Sequence, residues 1–128
     1  MIHNQHFSLG EAEKLLDEMR PLIEEMVSIK QKLNEIGYDV YRHQYFGGTG
    51  PNGTGAFPPE MEMLVDVIKK ISSKGILIKD IDSGLIDFPH IRKNGEEVYL
   101  CWKTGEDKIN FWHRIPDGFA GRKNIEEL

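Results

Sequence analysis

Glu96-Glu97-Val98-Tyr99-Leu100-Cys101-Trp102-Lys103, then Thr104-Gly105-Glu106-Asp107, then Lys108-Ile109-Asn110-Phe111-Trp112-His113-Arg114, is the stretch that decides the fold. Val98, Leu100 and Trp102 in the first run and Ile109 and Phe111 in the second recur at every other position, the period of a strand with one face turned to a core. The residues between the runs are turn formers, so the runs read as neighbouring antiparallel strands. Upstream, Leu85 to Ile91 is a further extended run, and Asn94-Gly95 is a strong signal for a two-residue hairpin joining it to the next strand. Ile76 to Ile81 supplies a short first strand. Residues 76–122 are therefore expected to form an antiparallel β-meander and a tail.

Register follows from the same pattern. Pairing Lys103 with Lys108 sets Val98, Leu100 and Trp102 opposite His113, Phe111 and Ile109, and places Tyr99 with Trp112 and Glu97 with Arg114 on the other face. A slip by one residue would set apolar side chains opposite Asn110 and Lys108, so the first register is expected. Across the Asn94-Gly95 turn, Asp87 then faces Trp102. The tail, Pro116-Asp117-Gly118-Phe119-Ala120-Gly121-Arg122, leaves the sheet with Phe119 read as buried.

Ahead of the sheet the period changes to that of a helix. Ser8 and Glu11 have the spacing of a capping box. Ala12, Leu16, Met19, Ile23 and Met26 then recur at steps of four and three, which makes 8–36 a long amphipathic helix. Pro21 lacks an amide proton for the carbonyl of Asp17 and predicts a bend rather than a break. Gly37 stops the helix. A Gly-rich loop occupies 38–57, with Gly47 to Gly55 at its centre, and Met61, Leu64, Val65, Ile68 and Ile71 mark a second helix over 59–74. At 1.5 Å per residue, residues 9–36 and 59–73 of these helices measure about 42 and about 22 Å. Part of the first stripe therefore needs cover from the sheet or from another subunit.

Composition sets the class. The chain has 128 residues, 39% of them hydrophobic and 29% charged, the profile of one ordinary globular domain. A formal net charge of −5 provides no basic surface for a phosphate backbone, so nucleic acid is not expected as a partner. Cys101 is the sole cysteine and cannot close an intrachain disulfide. No apolar run approaches the roughly 20 residues of a membrane span, and no secretory signal opens the chain. No membrane association and a cytoplasmic location are expected.

Several motifs carry the look of chemistry. The glycine loop has no lysine placed as in a P-loop and follows a helix. Asp80-Ile81-Asp82-Ser83-Gly84 fails as a calcium loop, because Leu85 and Ile91 fall where glycine and glutamate are needed. Turn capping by Asp82 and Ser83 accounts for it better. Asp87, Glu106 and His113 are the candidate ligands of a divalent metal, since carboxylate and imidazole suit iron, manganese or zinc. Yet seven residues separate Glu106 from His113, about 23 Å along a strand. In the expected register Asp87 also lies four residues from the level of His113. The three would meet only if Pro89 broke its strand or a second subunit supplied a ligand. His113 alone reads as a satisfied core histidine, Cys101 as a small core residue, and His3 and His6 as solvated. Arg122 is expected to pair with Asp80, Asp82 or Asp87 and pin the tail. Trp112, with Trp102, Tyr99 and Phe119, reads as core and secondarily as the wall of a pocket.

The C-terminal half also carries Lys79-Asp80-x-Asp82-x-Gly84-Leu85-x-Asp87-Phe88-Pro89, Leu100-Cys101-Trp102, Gly105-Glu106, Phe111-Trp112-His113 and Gly118-Phe119-Ala120-Gly121-Arg122, and the N-terminus carries Phe7-x-Leu9-x-x-Ala12. In these residues the chain resembles the prokaryotic domain-of-unknown-function family 2203. The resemblance implies a small cytoplasmic protein with a helical hairpin ahead of a compact sheet-containing segment, and it brings no established activity or catalytic residues. The glycine-rich loop departs from the family's shorter or more charged interhelical connections.

An α+β fold follows: a helical hairpin with a long first helix, packed on a small antiparallel meander. Two functional readings follow, the first preferred and the second its alternative. One is a non-catalytic homodimeric interaction or scaffold protein using the first helix. The other is a small metal- or ligand-binding protein or enzyme, with a polar site of Asp87, Glu106, His113, Arg122 and Trp112 between the sheet and the Gly118–Arg122 tail.

Overall fold

The computed structural model describes residues 1–42 and 58–128. Helix α1 spans Leu9–Glu35 and opens with the capping box, Ser8 accepting from the Glu11 amide while the Glu11 carboxylate accepts from that of Ser8. It continues through Pro21. It ends at Gly37, whose φ of 75° lets the Tyr38 amide reach back to the Leu33 carbonyl. Helix α2 spans Pro59–Ser72, with a proline at its first position. Residues 43–57, the greater part of the expected Gly-rich loop and all of its Gly47–Gly55 segment, lie outside the described residues.

Five antiparallel strands follow in spatial order: β1 (Leu77–Asp80), β2 (Leu85–Ile91), β3 (Glu97–Lys103), β4 (Phe111–Arg114) and β5 (Lys123–Asn124). The architecture is α+β, as the sequence leads one to expect. The tail differs from expectation: it returns to the sheet as β5, where Lys123 pairs with Trp112. Phe119 on that tail is not buried but 46% exposed.

Both hairpin registers differ from the expected ones by a single residue. The β2–β3 connection is a three-residue loop, Lys93-Asn94-Gly95, because Arg92 rather than Lys93 donates its amide to the Glu96 carbonyl (2.9 Å), while the Gly95 amide donates back to the Arg92 carbonyl (2.8 Å). Gly95, at φ 89°, provides the left-handed residue that such a loop requires. Asp87 therefore faces Cys101, not Trp102. Between β3 and β4 the chain leaves the ladder early. Glu106 folds back so that its carboxylate accepts from the Lys103 amide (2.8 Å) and its carbonyl from the Trp102 indole (3.0 Å). Ile109 then drops into the core instead of opposing Trp102, its amide bonded to Glu13 on α1. Tyr99 consequently pairs with His113 and Leu100 with Trp112.

The core lies between the helices and one face of the sheet. Ala12, Leu16, Met19, Ile23, Met26, Ile29 and Leu33 of α1 join Met61, Leu64, Val67 and Ile71 of α2, over Ile86, Phe88, Val98, Leu100, Trp102 and Trp112. The whole length of the α1 stripe is thus buried within one chain. Near its N-terminal half, Arg20 spans to the carbonyls of Glu106 and Asp107 and lies over the Trp102 ring. Near its C-terminal end, Lys30 is buried and paired with Asp82 at 2.8 Å. The Asp80 turn is capped by Asp80 itself, which accepts from the Ser83 hydroxyl and amide and from the Asp82 amide, so Asp82 is free for Lys30.

Candidate functional site

Successive strand residues point to opposite faces. With Ile86, Phe88, Leu100, Trp102 and Trp112 turned toward the helices, Asp87, Tyr99, Cys101 and His113 occupy the outer face. That face is buried as well: exposure is 1% at Asp87, 1% at Cys101, 2% at His113 and 5% at Tyr99. Its cover comes from both ends of the chain. Glu97 accepts from the Ile2 and His3 amides and from the His6 ring (2.8, 3.0 and 2.7 Å), and His3 shares a 2.7 Å hydrogen bond with the Tyr99 hydroxyl. His3 and His6 are therefore ordered by the sheet rather than solvated. From the other end, Arg122 lies against the Phe111 ring and meets Glu106 at 2.7 Å. The tail is pinned as expected, but by Glu106 and not by Asp80, Asp82 or Asp87.

At the centre of this face His113 Nε2 lies 3.1 Å from Asp87 Oδ2, while its Nδ1–H donates to the Arg114 carbonyl at 2.8 Å. The expected separation of these two groups is overturned. Pro89 does not break β2; the two shifted registers bring Asp87 level with Phe111 through Cys101, two residues from His113 instead of four. One ligand atom from each of Asp87, Cys101 and His113 falls within 4.8 Å of the others. Glu106 stands apart from this group, occupied by Arg122. Trp112 points to the other face, where its indole donates to the Asn124 carbonyl. Sequence reasoning thus named Asp87 and His113, which the fold brings together, and did not name Cys101, which joins them. The only signal for Cys101 was its position in the odd-numbered series with Glu97 and Tyr99, and that signal gains meaning only once the register is known.

The electrostatics follow from burial and close pairing. For His113 burial opposes the charged ring, but the bonds to Asp87 and the Arg114 carbonyl outweigh it and leave the pKa raised. Burial, then the neighbouring charge of Asp87, pushes the Cys101 thiol up. The same two causes raise the Tyr99 hydroxyl. Lys79 reaches in from the surface, its Nζ 3.7 Å from Asp87 Oδ2 and over the Tyr99 ring. The other carboxylate oxygen, Asp87 Oδ1, is buried and makes no well-formed hydrogen bond among the described residues, although the Cys101 thiol bonds weakly to the Asp87 carboxylate.

This arrangement is unsuited to nucleophilic catalysis by the cysteine. His113 Nε2 is paired with Asp87 and Nδ1 with the Arg114 carbonyl, neither ring nitrogen is bonded to the thiol, and burial raises the thiol pKa. What the site offers is a set of inward-facing donors with an unanswered negative oxygen. No helix among the described residues is long and apolar enough to cross a membrane. In the comparisons with curated proteins and with solved structures, nothing matches the chain. A family model does match residues 5–125, spanning both helices and all five strands, and the chain belongs to that family, described as an uncharacterized conserved protein (DUF2203).

Proposed function

We propose that this is a small ligand-binding protein that works through the outer face of its sheet, with Asp87 as the anchoring group. The observation that carries the reading is the orphaned Asp87 Oδ1. A buried acceptor left without a partner costs about 1–3 kcal/mol, and native chains seldom carry one without strain, a functional role or a bound water or ion to account for it. A ligand carrying positive charge would satisfy it. Asp87 sits beside His113 and Lys79, so its second oxygen is already balanced and the first is available. The homodimeric scaffold suggested by the length of α1 is less favoured, because the stripe that needed a partner is covered by α2, the sheet and the β3–β4 connection of the same chain.

The test is thermal denaturation of the full chain against a panel of divalent ions and small organic cations, with Asp87→Asn beside the wild type. A ligand present at a hundred times its Kd should add about 2.7 kcal/mol to wild-type stability and much less to the variant. A panel that leaves the wild-type Tm unmoved would overturn the reading.

A further inference from the structure

The geometry points to a divalent ion of the zinc class as the occupant, held by Asp87, Cys101 and His113. This rests on the reading of the outer face as a ligand site and names the ligand.

Four observations converge. First, the donor set mixes thiol, imidazole and carboxylate, which suits zinc or cobalt and disfavours magnesium and calcium, whose sites are built from oxygen. Second, the spacing is close to what coordination needs. Ligand atoms bound at 2.0–2.3 Å to a tetrahedral ion lie roughly 3.3–3.8 Å apart. The three groups already fall within 4.8 Å of one another, with the His113–Asp87 pair at 3.1 Å, so small side-chain shifts would seat an ion. Third, His113 is oriented as metal-binding histidines are: Nδ1–H is fixed on the Arg114 carbonyl, which leaves Nε2 as the ligating nitrogen and points it at the other two donors. Fourth, the unpartnered oxygen of a 1% exposed carboxylate belongs to this group.

The charge accounting also closes. With one proton shared by the His113–Asp87 pair and Cys101 as the thiol, the metal-free group is neutral. When the ion enters, the Sγ–H bond breaks and the shared proton leaves, bonds form from the ion to Sγ, Nε2 and an Asp87 oxygen, and two protons pass to solvent. A divalent cation with one thiolate, one carboxylate and a neutral imidazole carries no net charge, and neither does the group before entry. Burial therefore penalises the loaded state no more through net charge than the empty one. Lys79, its side chain 39% exposed, is a solvent-facing group paired with Asp87.

The experiment is a cobalt titration of the chelator-stripped full chain, followed by optical absorption and then by zinc displacement. We expect one cobalt per chain, a near-ultraviolet sulfur-to-cobalt charge-transfer band, and loss of that band when zinc is added. Cys101→Ser should keep the fold, checked by circular dichroism, yet abolish the charge-transfer band and weaken binding by at least about 10-fold, the smaller loss seen even for outer-shell partners of a metal. His113→Gln should weaken cobalt binding likewise. Magnesium and calcium should not compete. Cobalt bound without a sulfur band, or bound equally by Cys101→Ser, would overturn the zinc-class assignment. So would stabilisation through Asp87 by an organic cation or calcium alone, although the ligand-binding reading would then survive. If neither the metals nor the organic cations bind, both fall together.

Discussion

At the scale of single residues, the outer face shows how burial changes what a side chain can do. Cys101 is 1% exposed and its thiol is pushed toward the protonated form, first by burial and then by the charge of Asp87. It should resist a disulfide exchange reagent in the native, metal-free protein and react once urea unfolds the chain; rapid stoichiometric labelling of the native protein would contradict this placement. Gly84 is constrained in a different way. Its φ is 67°, and a Cβ there would collide with the Thr104 hydroxyl and press on Val27. Gly84→Ala should therefore cost more than about 1 kcal/mol in urea denaturation, beyond any gain from a stiffer unfolded chain. Neither constraint is visible in the local sequence. Cys101 reads locally as a small core residue and Gly84 as an ordinary turn glycine, because the groups that confine them come from other strands and from α1.

At the scale of elements, the helices were the legible part. The capping box at Ser8, the apolar stripe and Gly37 each act within a few residues, so their meaning survives without the rest of the fold. The strands were legible as strands but not as a ladder. Asn94-Gly95 suggests a two-residue turn, yet the chain uses the same glycine to close a three-residue loop with Lys93 at its start. That choice moves Asp87 from Trp102 to Cys101, and the early departure of Ile109 into the core moves His113 from Val98 to Tyr99. Because strand faces alternate residue by residue, two one-residue errors were enough to separate groups that in fact touch. Deleting Lys93 would restore the short turn and force β2 to slip against β3, turning either Asp87 or Cys101 toward the helices. The expected result is loss of a cooperative thermal transition, read by near-ultraviolet circular dichroism of Trp102 and Trp112. An unchanged transition would show that the loop does not set the register.

At the scale of the whole molecule, the two ends of the chain close the face that the helices leave open. Glu97 is the fastening point of the N-terminal segment, and its pKa is lowered to about 2, chiefly by the hydrogen bond from His6 and then by those from the Ile2 and His3 amides, with burial working the other way. A carboxylate whose pKa falls on folding stabilises the folded chain fully above its ordinary pKa of 4.5, and that contribution disappears as pH falls toward about 2. The Tm difference between wild type and Glu97→Gln should accordingly be larger at about pH 5 than at about pH 2 and shrink between about 4.5 and about 2. A difference that stays constant through that window would mean that Glu97 does not hold the segment. Residues 2–6 and 97 are more than ninety positions apart, as are Glu13 and Ile109. What the sequence alone determined was everything that depends on neighbours a few residues away: two helices, extended runs with turns between them, and the acid and imidazole candidates Asp87 and His113. Only the tertiary structure decided which of those candidates meet and that Cys101 joins them. Contact across a sheet is fixed by how each loop closes and by which side chains the core admits, and both are settled only when distant segments pack together.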